Sequence, residues 1–313
     1  MKRTTDISTA VAHLKNHKLV AFPTETVYGL GGDGCNDQVV AKIYEAKGRP
    51  QFNPLIVHVA SFKAARELAQ FNLMACKLAE KFWPGPLTLV VPRLPDCPVS
   101  LLASAGLESL AIRVPAHPLA QALLKEYGGP LVAPSANPSG AISPTSAVHV
   151  MAGLEGKIDM VLDGGECKVG VESTIVSCLE DAPVILRHGG LPRSDIEALL
   201  AMKVADGAEN AKTPTAPGQL LSHYAPKASV RLNVTEPFAD EVYLGFGTCS
   251  VEPALNLSAN ASLTEAAANL FKMLHQLDQQ GVEKIAVSPI PDHGLGEAIN
   301  DRLRRAAAPR DSN

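Results

Sequence analysis

Short apolar runs alternate along the chain with stretches in which apolar residues recur every three to four positions. The runs at 19–22, 55–59, 87–91, 131–133 and 158–162 have the length and Val/Leu/Ile content of strands buried on both faces, and 109–115, 172–176 and 183–186 add further strands. Between them the 3.6-residue period predicts helices. Ile7, Val11 and Leu14 share one face of a helix over 4–18, and Val39, Val40, Ile43 and Tyr44 share one that Asn36 or Asp37 caps and Gly48 ends. Others are expected at about 61–71, 73–82 (stopped by Trp83-Pro84-Gly85-Pro86), 117–127, 146–152 (Thr145 as cap) and 194–201, where Ser194 and Glu197 form a capping box. After residue 228 the pattern restarts on a smaller scale, with strands at 228–232, 242–246 and 284–288 and helices at about 263–280 and 295–307.

This order predicts an α/β protein in two parts: a larger domain over 1–202 and a small Rossmann-like α/β domain over 228–313. Residues 203–227 are polar and carry Pro214, Pro217-Gly218 and Pro226, which reads as a linker. A plain spacer has no use for Ser222-His223-Tyr224-Ala225-Pro226, so the linker is expected to fold back over a pocket. Arg302, Arg304 and Arg305 read as a solvated helix end.

Composition narrows the class. Hydrophobic residues make up 46% of the 313 but aromatic ones only 4%, so aliphatic side chains fill the core, as in helices packed on a mainly parallel sheet. Lys+Arg and Asp+Glu balance at 21 each over 1–227 and stand at 7 against 11 beyond, so neither part is a basic nucleic-acid-binding domain by bulk charge. The six cysteines show no CxxC or zinc spacing, and no apolar run approaches the ~20 residues that cross a bilayer. Reduced thiols, a cytoplasmic location and no membrane partner are the expectations.

Chemistry concentrates where strands end. The first buried strand runs into Pro23-Thr24-Glu25-Thr26-Val27-Tyr28-Gly29-Leu30-Gly31, which sets two hydroxyls, a carboxylate and a glycine-rich backbone where a ligand can approach. Lys47 and Arg49 follow the next helix; they suit its dipole, or they form the far wall of the pocket that the threonines open. His58 interrupts a strand. Arg113 is a charge among apolar residues, which needs a carboxylate of the protein or of a ligand. The loop from Pro134 to Thr145 is dense in hydroxyl and amide groups after a second buried strand, the end of an α/β sheet that binds ligands. Gly29, Gly31 and Gly34 satisfy G-x-G-x-x-G, but no acidic residue lies between Glu45 and Glu67 to hold a ribose, which argues against a nicotinamide dehydrogenase. His13 and His17 have i, i+4 spacing without a third ligand for zinc.

Pro-Thr-Glu-Thr-Val-Tyr-Gly-Leu-Gly from 23, Lys47-Gly48-Arg49-Pro50, Asn53-Pro54-Leu55 and His58, in this order, resemble the YrdC-type threonylcarbamoyl-AMP synthases. The likeness runs on through the His-Tyr-Ala-Pro linker to Ala298-Ile299-Asn300-Asp301-Arg302-Leu303, so the longer, two-domain subclass is implied. It implies a twisted mixed sheet with flanking helices in the first domain. It also implies that L-threonine, bicarbonate and ATP, with Mg²⁺, give threonylcarbamoyl-AMP and pyrophosphate for the threonylcarbamoyladenosine modification of tRNA next to the anticodon. By the resemblance, Thr26, His58, Arg113 and Ser173 hold threonine, and Arg49, Asn53, Ser109, Ser135, Ser143, Arg187 and Tyr224 meet ATP, with Lys47 near the phosphates and Lys47 and Arg49 in the catalytic role. A downstream threonylcarbamoyl transferase is the implied partner, with weak tRNA or double-stranded RNA binding as a further option. The chain departs from relatives at Ala133, where some have threonine, and at Gln219-Leu220-Leu221-Ser222, where basic residues are frequent. The rival readings are an RNA-binding module without catalysis, opposed by the charge balance, and a carbamoyl-transfer relative, opposed by the lack of acylphosphatase and zinc-finger segments.

Overall fold

The computed structural model describes residues 1–207 and 224–309. In chain order its first part comprises β1 (Lys2–Thr4), α1 (Ile7–Lys15), β2 (Val20–Phe22), β3 (Gly29–Asp33), α2 (Asp37–Lys47), β4 (Ile56–His58), α3 (Phe62–Arg66), α4 (Leu73–Phe82), β5 (Leu87–Pro92), β6 (Ser109–Arg113), α5 (Pro118–Tyr127), β7 (Leu131–Val132), α6 (Ala147–Leu154), β8 (Met160–Leu162), β9 (Thr174–Ser177), β10 (Val184–Arg187), α7 (Arg193–Leu200) and β11 (Ala205–Asp206). The second comprises β12 (Ser229–Arg231), β13 (Val242–Gly245), β14 (Leu255–Asn256), α8 (Leu263–Gln279), β15 (Lys284–Val287) and α9 (Leu295–Ala307).

Among the described residues the first part builds an 11-stranded mixed sheet in the order β1-β8-β2-β3-β7-β4-β6-β5-β9-β10-β11. Strand alternation splits its core in two. Val20 and Phe22 face Ala10, Leu14, Leu123 and Leu124 of α1 and α5. Leu19 and Ala21 face the other way, toward Val39, Ile43, Leu78 and Val150 of α2, α4 and α6. The second part is a four-stranded parallel sheet, β12-β15-β13-β14, covered by α8 and α9. Its core extends into the first part, taking in Val27, Ile142 and Val171 as well as Tyr224. Gly170, at φ 77°, lets that contact form: a Cβ there would stand 2.4 Å from the Ala267 carbonyl and the Ala268 Cα of α8. The Lys272–Glu166 (2.9 Å) and Arg193–Glu297 (3.1 Å) ion pairs, and stacked His149 and His275 rings 4.0 Å apart, flank it.

Several local expectations change. The first helix is shorter than 4–18, because Lys2–Thr4 pair with β8 before Asp6 caps α1 through Thr9 N–H. The glycine-rich segment, for which no strand was expected, forms β3, antiparallel to β2. Ser146, not Thr145, caps α6. Ser194 and Glu197 form no capping box; Pro192 occupies the N-cap without a side-chain bond, and Glu197 accepts from Val204 N–H at 3.0 Å. Residues 205–206 of the expected linker pair with β10 as β11, and residues 208–223, including His223, lie outside the described residues. Arg302 is not solvated at all, being 1% exposed.

Candidate active site

Register assembles one pocket at one end of the large sheet. β4 and β6 run parallel with His58 opposite Arg113, β5 starts beside them with Thr88 opposite Arg113, and β9 starts beside β5 with Thr174 opposite Leu87. The turn between β2 and β3 and the segment after β7 close the sides. The resulting cavity, about 540 Å³ including its mouth, is lined by Thr24, Val27, Gly29, Arg49, Ile56, His58, Arg113, Ala133, Pro134, Ser135, Glu172, Ser173, Arg187 and Tyr224.

Its walls are braced by short polar contacts. Thr24 Oγ1 donates to the Val27 carbonyl at 2.6 Å and accepts from Val27 N–H at 3.2 Å, a hydroxyl-closed turn that leaves the Thr26 hydroxyl 2.7 Å from that of Thr24. Ser173 Oγ lies 2.8 Å from Thr88 Oγ1 and accepts from Arg187 Nη2 at 3.1 Å. His58 Nδ1 is 3.1 Å from the Ile56 carbonyl, which can only accept, so Nδ1 carries the proton and Nε2 is left as an acceptor. Burial first, and then the Arg113 charge, push the His58 pKa down to about 3, so the ring is neutral at neutral pH.

Three guanidiniums reach the cavity in different states. Arg113 pairs with Glu25 at 2.6 Å, the protein carboxylate that a buried strand arginine calls for. Arg49 and Arg187 make no ion pair among the described residues. Arg49 donates to the carbonyls of Asn53 (3.2 Å) and Pro54 (2.9 Å), and Arg187 to that of Ser173 (3.1 and 2.9 Å). Burial lowers the pKa of both, that of Arg49 to about 10. Two buried cations held by uncharged acceptors, backbone carbonyls and the Ser173 hydroxyl, suit an anion with several oxygens. The one carboxylate in the lining, Glu172, does not answer them directly: Ser143 Oγ donates to Oε1 and Arg302 Nε to Oε2 at 2.8 Å. Burial works to raise the Glu172 pKa, but the Arg302 and Arg187 charges outweigh it and the net shift is downward. Arg302 also lies over the Tyr224 ring, 5.0 Å from its centroid.

Of the residues expected here, Arg49, His58, Arg113, Ser135, Ser173, Arg187 and Tyr224 meet in the lining. The others stand behind it. Thr26 is fully buried beside Thr24. Lys47 is a buried ammonium that donates to the carbonyls of Ser135 (2.6 Å) and Asn137, so it braces the segment after β7; burial, then the Arg49 charge, set its pKa well below the ordinary lysine value. Asn53 gives its carbonyl to Arg49 while its Oδ1 is buried without a partner among the described residues, and Ser143 holds Glu172. Ser109 begins β6, on the same face as Arg113 and about 13 Å along the strand. Thr24 belongs to the motif that the sequence singled out but had no role of its own there, and Glu172 was not singled out, although it adjoins Ser173, which was. Arg302 appeared in the sequence only within the 298–303 motif and as part of a solvated helix end, since Glu172, which it reaches besides its neighbour Asp301, is 130 positions away. Tyr224, at φ 64° and 1% exposed, brings the chain after residue 223 against the cavity.

Comparison with known proteins places this architecture. The family model for Sua5, YciO and YrdC proteins, described as telomere recombination, matches residues 12–189, and one described as threonylcarbamoyl-AMP synthase, C-terminal domain, matches residues 191–308. The chain belongs to the Sua5/YrdC family. Its Sua5-type relatives include the threonylcarbamoyl-AMP synthases of Bacillus subtilis, 42% identical over 97% of this chain and 93% of that one, and of Pyrococcus abyssi, 41% identical over 97% and 94%. The crystal structure of Pyrococcus abyssi Sua5 complexed with L-threonine superposes with a TM-score of 0.89 at 38% identity, covering 98% of this chain and 97% of the other. The fold is thus the two-domain Sua5 form, a YrdC-type domain followed by the C-terminal domain. No helix among the described residues is long and apolar enough to cross a membrane.

Proposed function

We propose that this pocket makes threonylcarbamoyl-AMP from L-threonine, bicarbonate and ATP, releasing pyrophosphate, and so supplies a transferase that modifies tRNA next to the anticodon. The observation that carries the reading is the pair of buried guanidiniums, Arg49 and Arg187, that face one cavity without a carboxylate of their own among the described residues. Threonine's amine and bicarbonate form a carbamate with loss of water. A carbamate oxygen then attacks the α-phosphorus of ATP, the new O–P bond forming as the bond to pyrophosphate breaks. Positioning and charge neutralisation carry such a step, and no protein nucleophile is needed.

In this reading Arg113 pairs with the threonine carboxylate, neutral His58 offers Nε2 to its hydroxyl or ammonium, and Thr26 and Ser173 complete the site, with Thr24, which lines the cavity, beside Thr26. Arg49 and Arg187 neutralise phosphate charge. Ser135, Asn53, Ser109, Ser143 and Tyr224 supply uncharged contacts to the nucleotide or to the walls that hold it, and Lys47 supports the phosphates through the segment that it braces. Mg²⁺ would be held chiefly by the phosphates of ATP and would offset their charge; Glu172, the carboxylate in the lining, already has both oxygens engaged by Ser143 and Arg302.

Pyrophosphate release tests the reading. Release that requires both L-threonine and bicarbonate is expected; release from ATP alone at the same rate would mean ordinary hydrolysis.

A further inference from the structure

Glu25 sits between the two threonines of the pocket turn but is not part of the cavity lining, whereas Arg113 is. Its Oε1 accepts from Arg113 Nη2 at 2.6 Å and its Oε2 from Ala116 N–H at 2.9 Å, while its backbone carbonyl accepts from Val169 N–H at 2.8 Å. One residue therefore ties together the turn after β2, the chain leaving β6 and the segment that leads to Ser173. On its other side Arg113 donates from Nε to the Gly85 carbonyl at 3.3 Å. A guanidinium has five N–H donors in a fixed fork. With one at Nε and one at Nη2 committed, the Nη1 pair and the second Nη2 hydrogen remain, an edge that matches a carboxylate in bidentate geometry.

Two consequences follow from this clamp. The guanidinium cannot swing along the wall, because two protein acceptors, the Gly85 carbonyl and Glu25, hold it. Its charge is also offset, so the empty cavity does not bury Arg113 as a lone cation, and a bound carboxylate is selected by two aligned hydrogen bonds more than by net attraction.

We propose that Glu25 is a positioning residue for carboxylate recognition, holding Arg113 in the orientation that pairs with the α-carboxylate of the amino-acid substrate. The proposal rests on the reading of this pocket as an L-threonine site. Glu25 lies behind Arg113 with both oxygens occupied, so it orients the arginine and does not compete with the ligand for the cavity.

The test measures dissociation constants for L-threonine, L-threonine amide and ATP by calorimetry on the full chain and on Glu25→Gln, Glu25→Ala and Arg113→Ala. Both Glu25 variants should weaken L-threonine by about 10- to 100-fold, as loss of an orienting partner does for ligand-holding side chains elsewhere. ATP affinity should stay within about twofold, since Glu25 bonds to Arg113, Ala116 and Val169 and, among the described residues, to none of those assigned to the nucleotide. The preference for L-threonine over the amide, which lacks the carboxylate, should shrink toward that of Arg113→Ala. Glu25→Gln keeps the volume and one acceptor, so it gives the result if Glu25→Ala does not fold. Unchanged L-threonine affinity in Glu25→Gln overturns the proposal, and so does an equal loss of L-threonine and ATP affinity with the amide preference intact, which is the mark of a residue that serves folding. An unsubstituted chain that binds ATP but not L-threonine overturns the underlying reading instead, and that control separates the two failures.

Discussion

Arg49, Arg113, Arg187 and Arg302 are four buried arginines whose partners decide what each can do. Arg113 and Arg302 have carboxylates, Glu25 and Glu172, whereas Arg49 and Arg187 have carbonyl oxygens and keep charge to spare. Arg49→Ala should lower kcat by about 10²–10³, the loss that follows removal of one transition-state donor elsewhere, and steady-state pyrophosphate release measures it. Near-normal turnover would remove Arg49 from the charge-neutralising set. Arg113 was legible in the sequence because a charge inside an apolar strand has to be answered. Arg302 was not: a helix with Arg302, Arg304 and Arg305 near its end looks solvated, and the fact that buries one of the three lies in another part of the chain.

At the scale of elements, legibility followed range. Both ends of α2 could be read locally, and the structure has Asn36 accepting from Gln38 and Val39 N–H and Gly48 in the left-handed conformation at φ 60°. β1 and β14, of three and two residues, exist through their neighbours β8 and β13 and carry no run long enough to signal a strand. The glycines of β3 were expected where a ligand can approach, and Gly29 does line the cavity. At Gly31 and Gly32 the close neighbours are the protein's own: a Cβ on Gly31 would stand 2.7 Å from the buried Phe22 ring, and one on Gly32 would stand 2.6 Å from Val39 Cγ1. Gly31→Ala should therefore cost about 1–3 kcal/mol by overpacking, read as a lower urea midpoint. Unchanged stability would mean that the hairpin has slack which this packing denies.

The whole molecule joins its two sheets behind the pocket wall. Arg302 of α9 reaches Glu172, and α8 presses on Gly170 and stacks Phe271 5.6 Å from Tyr224, so the C-terminal domain supports the cavity as well as adjoining it. Arg302→Met leaves Glu172 a buried carboxylate with Ser143 as its nearest donor. A broken buried pair costs about 3–5 kcal/mol, so thermal unfolding should come markedly earlier and ATP affinity should fall with it. A variant as stable as the parent would show that the pair is dispensable.

Acid should loosen the same assembly. Burial holds His58 at about 3 and His149 at about 4, and lowers His275 and His117, all below the 6.5 of an exposed histidine. Between about pH 6.5 and 4 the unfolded chain takes up protons that the folded chain refuses, so stability falls as pH falls, by about 1.4 kcal/mol per unit from His58 alone. The lowered carboxyls of Glu172 and Asp301 act in the same direction, beginning only below about pH 5. Urea midpoints at pH 7, 6 and 5 should decline in that order, and a flat series would contradict the burial of neutral imidazoles.

The central claim is that this cavity joins an amino acid, bicarbonate and ATP into one adenylate. The most direct measurement is the mass of the nucleotide product after incubation with ATP, Mg²⁺, L-threonine and ¹³C-labelled bicarbonate. A threonylcarbamoyl adenylate carrying the label, formed with pyrophosphate and absent without L-threonine, is the predicted result. Pyrophosphate with unmodified AMP alone, or no reaction by a folded chain, would contradict it.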